Sequence, residues 1–182
     1  MKNSNKAAWR AMPPPPAHPL HGWLTSRGSL TARIIARCRD FRLTRLVQQV
    51  RSGNRDELPE LDLRLKEQVL VREVILWSGE MPLVFAHSLA ARRDLNGAWR
   101  DLRTLGTRPL AAMLFADPRV RRLAVEYRRL DRRHALYRRA RELFTTSSLP
   151  HTLWARRSVF LRKGRPLLVT EVFLPGILTL AK

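Results

Sequence analysis

Two apolar strand–turn–strand segments constrain this chain more than any other feature. Residues 67–77 (EQVLVREVILW) are β-branched and apolar with little helical period, which predicts a strand. Ser78-Gly79-Glu80-Met81-Pro82 is turn chemistry, and Leu83 to Leu89 reads as the returning strand. The C-terminal end repeats the plan, with Arg157 to Arg162, a Lys163-Gly164-Arg165 turn, and Pro166 to Leu174. Each hairpin carries a charge inside an apolar strand, Arg72 in the first and Glu171 in the second. Such a charge is costly to bury unless it is paired or bound to a ligand. The alternative is that each side chain faces water on the open side of an antiparallel sheet. Glu73 points to the face opposite Arg72, so one of that pair is expected to face the core.

Between the hairpins the pattern turns helical. Asp94 caps a helix carrying Leu95, Trp99 and Leu102, closed by Gly106. Thr107-Arg108-Pro109 opens a second helix. Asp117-Pro118 repeats that start signal, and Val120, Leu123, Tyr127, Leu130, His134 and Tyr137 then fall three or four apart. That stripe predicts an amphipathic helix over 119–141 with arginines on its other faces. Upstream, residues 22–53 read as helical, with Ser29 as N-cap and Ile34, Ile35 and Cys38 on one face. From Phe41 to Val47 the period fits a helix and a strand equally. Leu30 and Leu110 each follow a helix-start signal, where backbone N–H groups lack intrahelical partners and can receive a carboxylate. Either is also an ordinary first-turn apolar residue. Residues 1–17 are expected to be disordered, because Pro13 to Pro16 block helix and sheet pairing. Residues 18–182 are expected to form one domain.

Charge narrows the function less than its size suggests. Lys and Arg number 35 against 15 Asp and Glu, a net charge of +20. Such a field draws polyanions, anionic membranes and small anions alike. A basic nucleic-acid-binding or anionic-membrane-binding protein is therefore the alternative to an enzyme. Acidic Glu126, Asp131 and Glu142 interrupt the arginine-rich stretch, and no zinc-finger, RNP or heptad pattern accompanies it, which argues against specific nucleic-acid recognition. Cys38 is the single cysteine, so no intramolecular disulfide forms, as suits a reducing compartment. No Cys/His spacing suggests a metal site. No stretch approaches the roughly 20 apolar residues of a membrane span, and the N-terminus has no secretory pattern, so the expected location is the cytoplasm.

Four stretches carry a resemblance to a known family. LVREVIL (70–76), LGTRPLAAMLF (105–115) and LWARRSVFLRKGRPLLVTEVFLP (153–175) are similar to segments of the chorismate lyase (chorismate–pyruvate lyase) family, and WLTSRGSLTARI (23–34) resembles its first helix more weakly. The resemblance implies an α+β fold, a six-stranded antiparallel sheet with helices on one face and helical flaps over a buried ligand cavity. It implies a monomer that converts chorismate to 4-hydroxybenzoate and pyruvate for ubiquinone biosynthesis, without metal, cofactor or obligate protein partner. The family's ligand-contacting arginine and glutamate fall on Arg72 and Glu171, and its leucine at a helix start falls on Leu110. Its first-helix methionine falls on Leu30, a departure. A glycine–arginine pair of the family is here Ala86-His87. The chain also carries extra residues about 119–146, centred on the arginine-rich helix and its exit near Ser147. That basic segment is expected to associate weakly with anionic lipid.

Overall fold

The two apolar segments form hairpins and occupy the middle of a single sheet. The computed structural model of the chain describes residues 8–144 and 149–180. The first hairpin is β2 (Gln68–Ser78) and β3 (Met81–Ala91); the second is β5 (Leu153–Arg162) and β6 (Arg165–Phe173). Lys163 and Gly164 both take positive φ, 52° and 71°, the mirror-image turn that matches strand twist in a two-residue loop. β3 pairs with β6, which joins the hairpins. β1 (Phe41–Ser52) and β4 (Val120–Leu130) flank them as edges, in the order β1-β2-β3-β6-β5-β4. Every neighbouring pair is antiparallel, so the α+β class and the six-stranded sheet are as expected.

Elements cover both faces. On one lie α1 (His21–Leu24), α2 (Leu30–Ile35), α3 (Leu110–Ala116) and two 3-10 turns, Arg92–Asn96 and Arg100–Thr104. Their Leu24, Leu30, Ile34, Trp99 and Leu110 pack on strand residues such as Leu70, Val74 and Leu167. On the other lie α4 (Ala135–Leu143) and a 3-10 turn at Pro59–Leu61. There Leu136, Tyr137 and Ala140 of α4 bury against Ile75, Phe85 and Val172. Among the described residues no helix is long and apolar enough to cross a membrane.

Several expectations are corrected. The helix expected over 119–141 is instead the edge strand β4, a turn and the short α4. β4 alternates in burial up to Arg122, and its pairing with β5 then slips between Arg122 and Val125. The apolar stripe is not the buried one: Val120, Arg122, Val125 and Tyr127 face the same side of the sheet, Leu123 is exposed, and Leu130 packs on the opposite face with α4. The helical reading of 22–53 ends at Ile35; Phe41–Ser52 is the strand of the two open alternatives, fixed by its ladder to β2. The helix expected after Asp94 is two 3-10 turns broken at Gly97. Part of 1–17, expected to be disordered, has defined contacts: Arg10 exchanges both backbone hydrogen bonds with Tyr127 at 3.0 and 2.7 Å, and Trp9 Nε1 donates to Asp56 at 3.2 Å. Residues 1–7, and Ser147 at the expected exit of the extra segment, lie outside the described residues.

Candidate active site

Strand alternation and register bring the predicted residues to one place. Arg72 lies opposite Ser88, which lies opposite Val169; Val74 lies opposite Ala86, which lies opposite Glu171. Arg72 and Glu171 therefore point to the same face, on strands separated by β3. Two strand spacings of about 4.8 Å and a two-residue offset put their Cα atoms roughly 12 Å apart. α2 contributes Leu30 and α3 contributes Leu110 to a cavity that both charges line, with about 650 Å³ of empty space including its mouth. Leu43, Leu76, Leu114, Phe115 and Phe160 make its walls apolar.

Arg72 is 3 % exposed, so the open-face alternative fails for it. Its Nη2 donates to the carbonyls of Gly106 and Arg108 at 3.2 and 3.0 Å. Gly106 has φ +61°, the left-handed conformation open to glycine at little cost, and so shapes the loop that offers both carbonyls. Nε is buried without a hydrogen-bond partner, and no carboxylate of the described residues pairs with the guanidinium. Burial, and secondarily Arg45, pushes the Arg72 pKa down to about 10, which still leaves a cation at neutral pH. A desolvated cation with an unmet donor is an anion-binding group.

Glu171 is held differently. Arg156, 1 % exposed and opposite it on β5, donates Nε–H to Glu171 Oε2. Arg156 Nη1 also donates to the carbonyls of Trp23, Leu24 and Ser26 at 3.3, 3.1 and 2.8 Å, anchoring the segment that leads into α2. Arg122 lines the same cavity, with Nε donating to Ser158 Oγ at 2.9 Å and Nη1 to the Arg27 carbonyl at 2.9 Å. Among the described residues, three guanidinium groups against one carboxylate leave the cavity lining two positive charges in excess.

Arg122, Arg156, Ser88 and Ser158 are site residues that sequence reasoning missed. Arg156 carried the same signal as Arg72, a charge inside an apolar strand. The adjacent Arg157 obscured it, although alternation sends the two to opposite faces. Arg122 lay in the stretch read as a helix.

The opposite face corrects a second expectation, that only one of Arg72 and Glu73 is core-facing: both are buried, Glu73 to 1 % exposure. α4 and the 52–58 loop cover this face. Glu73 accepts from Arg51 (2.8 Å), Arg139 of α4 (2.9 Å) and His87 (3.2 Å), and His87 Nε2 lies 3.2 Å from Glu57 Oε1. His87 thus braces β3 against two carboxylates, while Ala86 lines the cavity. Burial opposes a charge on His87, but Glu57 and Glu73 together overcome it and raise its pKa to about 9. Burial likewise opposes ionisation of Glu73, yet His87 and Arg139 lower its pKa to about 2. The signs fix a pH dependence. The raised His87 value stabilises the fold fully below pH about 6.5, and this is lost as pH rises through about 9. The depressed Glu73 value stabilises it above pH about 4.5, and this is lost as pH falls toward about 2. Thermal unfolding of a His87→Gln variant is expected to lose the decline between pH about 6.5 and 9 that the parent shows; an unchanged decline would assign it elsewhere.

Known proteins similar to this chain point to one family. A family model described as chorismate lyase matches residues 5–182. A protein of Aromatoleum aromaticum named "Probable chorismate pyruvate-lyase" is 48 % identical over 174 residues, 94 % of each chain. One of Nitrosospira multiformis with the same name is 43 % identical over the full length of both. Among solved structures, a GntR-family transcriptional regulator from Bacillus cereus matches with a TM-score of 0.54 at 10 % identity, over 79 % of this chain and 96 % of that one. The C-terminal domain of a histidine utilization repressor from Pseudomonas syringae matches with 0.53 at 12 %, over 78 % and 96 %. At such identity these two share the fold alone. Family match, near full-length relatives and a buried cavity built on the resembling stretches lead to one conclusion: the chain belongs to the chorismate lyase family.

Proposed function

We propose that this enzyme converts chorismate to 4-hydroxybenzoate and pyruvate, with Arg72, Glu171 and the backbone at Leu30 and Leu110 as its ligand-binding groups. The observation that carries this is the buried Arg72 guanidinium, without a carboxylate partner among the described residues, in the same cavity as Glu171. Arg72 receives the ring carboxylate through charge-assisted hydrogen bonds worth about 1.5–3 kcal/mol each. First-turn N–H groups at Leu30 and Leu110 supplement it. Glu171, whose Oε2 is engaged by Arg156, accepts from the 4-hydroxyl at the other end of the ring.

The substrate supplies the driving force, because losing pyruvate aromatises the ring. The C4 hydrogen passes to the enolpyruvyl methylene through a six-membered arrangement as the C3–O bond breaks. The ether oxygen becomes the keto oxygen of pyruvate, and the ring becomes 4-hydroxybenzoate. All atoms are in the substrate, so the protein's work is to hold the reactive conformer and exclude water. The apolar walls serve the second purpose. The same anchors grip the flat product, so product release is expected to be slow.

A Glu171→Gln variant is expected to weaken 4-hydroxybenzoate binding about tenfold by titration calorimetry; unchanged affinity would remove Glu171 from the ligand. The product is a precursor for ubiquinone biosynthesis. We place the enzyme in the cytoplasm, a reading its single thiol, Cys38, fits, and as a monomer, which its elution in size-exclusion chromatography tests. The +20 charge steers a dianionic substrate inward and gives weak association with anionic lipid.

A further inference from the structure

The proposed contacts leave half of the substrate's charge unanswered. Chorismate carries two carboxylates, one on the ring and one on the enolpyruvyl ether at C3. Arg72 takes the first. The cavity lining has two positive charges in excess of its one carboxylate, so a second cation stands ready for the other.

Only one of the two remaining arginines is available. Arg156 is committed: Nε to Glu171, and Nη1 to three carbonyls. Arg122 is not. Its bonds go to a hydroxyl and a carbonyl, both neutral, and no carboxylate among the described residues lies within ion-pair distance of it. It is half-buried, so its charge is partly stripped of water. Burial, then Arg156, lowers its pKa, and Glu171 acts on it in the opposite sense, which places the two within electrostatic reach.

Position selects the same residue. Arg122 Nε reaches Ser158, which the register puts level with Val169, Ser88 and Arg72. Glu171 lies two residues along β6, so the Arg122 head group sits beside the line from Arg72 to Glu171, on its β5–β4 side. With the ring carboxylate at Arg72 and the 4-hydroxyl at Glu171, the substituent on C3 projects to the side of the line joining them, which is where the Arg122 head group lies. The β4 bulge, which begins at Arg122, sets the edge strand's register here.

We infer that Arg122 binds the carboxylate of the enolpyruvyl group and so distinguishes the dianionic substrate from the monoanionic product. This rests on the chorismate reading above and deepens it. Two carboxylates held at two separate points fix the ether torsion that brings the methylene over the C4 hydrogen. Once the C3–O bond breaks, Arg122 holds only pyruvate, a small ligand that departs without disturbing Arg72 or Glu171. Arg122 also donates to the Arg27 carbonyl in the loop before α2, so the group that senses the substrate's side chain touches the segment covering the cavity.

The test compares a monoanion with a dianion on the parent, Arg122→Gln and Arg122→Lys. The probes are 4-hydroxybenzoate and 3-(1-carboxyvinyloxy)benzoate, a stable aromatic dianion with the same ether. Arg122→Gln is expected to weaken the dianion about ten- to a hundredfold and to lower kcat/KM for chorismate by a similar factor. The 4-hydroxybenzoate affinity should stay within about threefold, and Arg122→Lys, which keeps the charge but not the planar fork, should recover part of the dianion affinity. Equal weakening of both probes would make Arg122 merely structural, and no weakening of either would remove it from the site; both overturn the inference. A parent that binds the dianion through Arg122 yet does not turn over chorismate would instead overturn the proposed reaction, leaving the binding assignment in place.

Discussion

An Arg72→Ala variant is expected to lose at least about a hundredfold in kcat/KM for chorismate and to bind 4-hydroxybenzoate comparably more weakly. The size follows from two lost charge-assisted hydrogen bonds of about 1.5–3 kcal/mol each. Both parameters should fall together, because substrate and product present the same ring carboxylate. The fold should survive: removing Arg72 relieves a buried cation that has no carboxylate partner among the described residues. The carbonyls of Gly106 and Arg108 lose a donor, so a small drop in ligand-free thermal stability beside the large loss of activity would be the signature of a binding group. An Arg72→Lys variant keeps the charge but loses the planar fork. It should fall between the two.

The second large effect lies on the opposite face. A Glu73→Ala variant leaves His87, Arg51 and Arg139 facing a site without its central carboxylate. Breaking a buried ionic cluster by removing one partner costs about 3–5 kcal/mol. For a chain of this size that lowers Tm by roughly 10 °C. Replacing Glu57, Glu73 and His87 together by leucine should recover much of the loss. The buried charges then go as a set, and the side chains of Arg51 and Arg139, 41 % and 31 % exposed, can turn to water. A triple variant no better than Glu73→Ala would contradict this account of the cluster. Differential scanning calorimetry at pH 6 reads both outcomes.

The two faces also show what could be read from the chain and what could not. The hairpins were legible because β-branched runs and tight turns are local. Arg72 and Glu171 were legible as anomalies for the same reason, each a charge inside an apolar run. Which way they pointed was not legible: alternation separates Arg72 from Glu73 but does not say which face is covered. Here both are, because α4 and the Pro59–Leu61 turn close the back of the sheet. The common orientation of Arg72 and Glu171 depends on two registers across β3, which no local pattern contains. β4 was misread because Val120, Leu123, Tyr127 and Leu130 recur at helical spacing, although Leu123 is exposed and Leu130 faces away from Tyr127. That misreading hid Arg122. Arg156 was hidden by its neighbour, although Arg156 and Arg157 are both buried, on opposite faces, each with acidic partners of its own.

One measurement tests the central claim most directly. Purified protein is incubated with chorismate, without added metal or cofactor, and 4-hydroxybenzoate and pyruvate are followed together. The account predicts that the two appear in equal amounts, at a rate that Arg72→Ala reduces by at least about a hundredfold. Chorismate left unchanged by the parent protein, or turned over equally well by the Arg72→Ala variant, would contradict it.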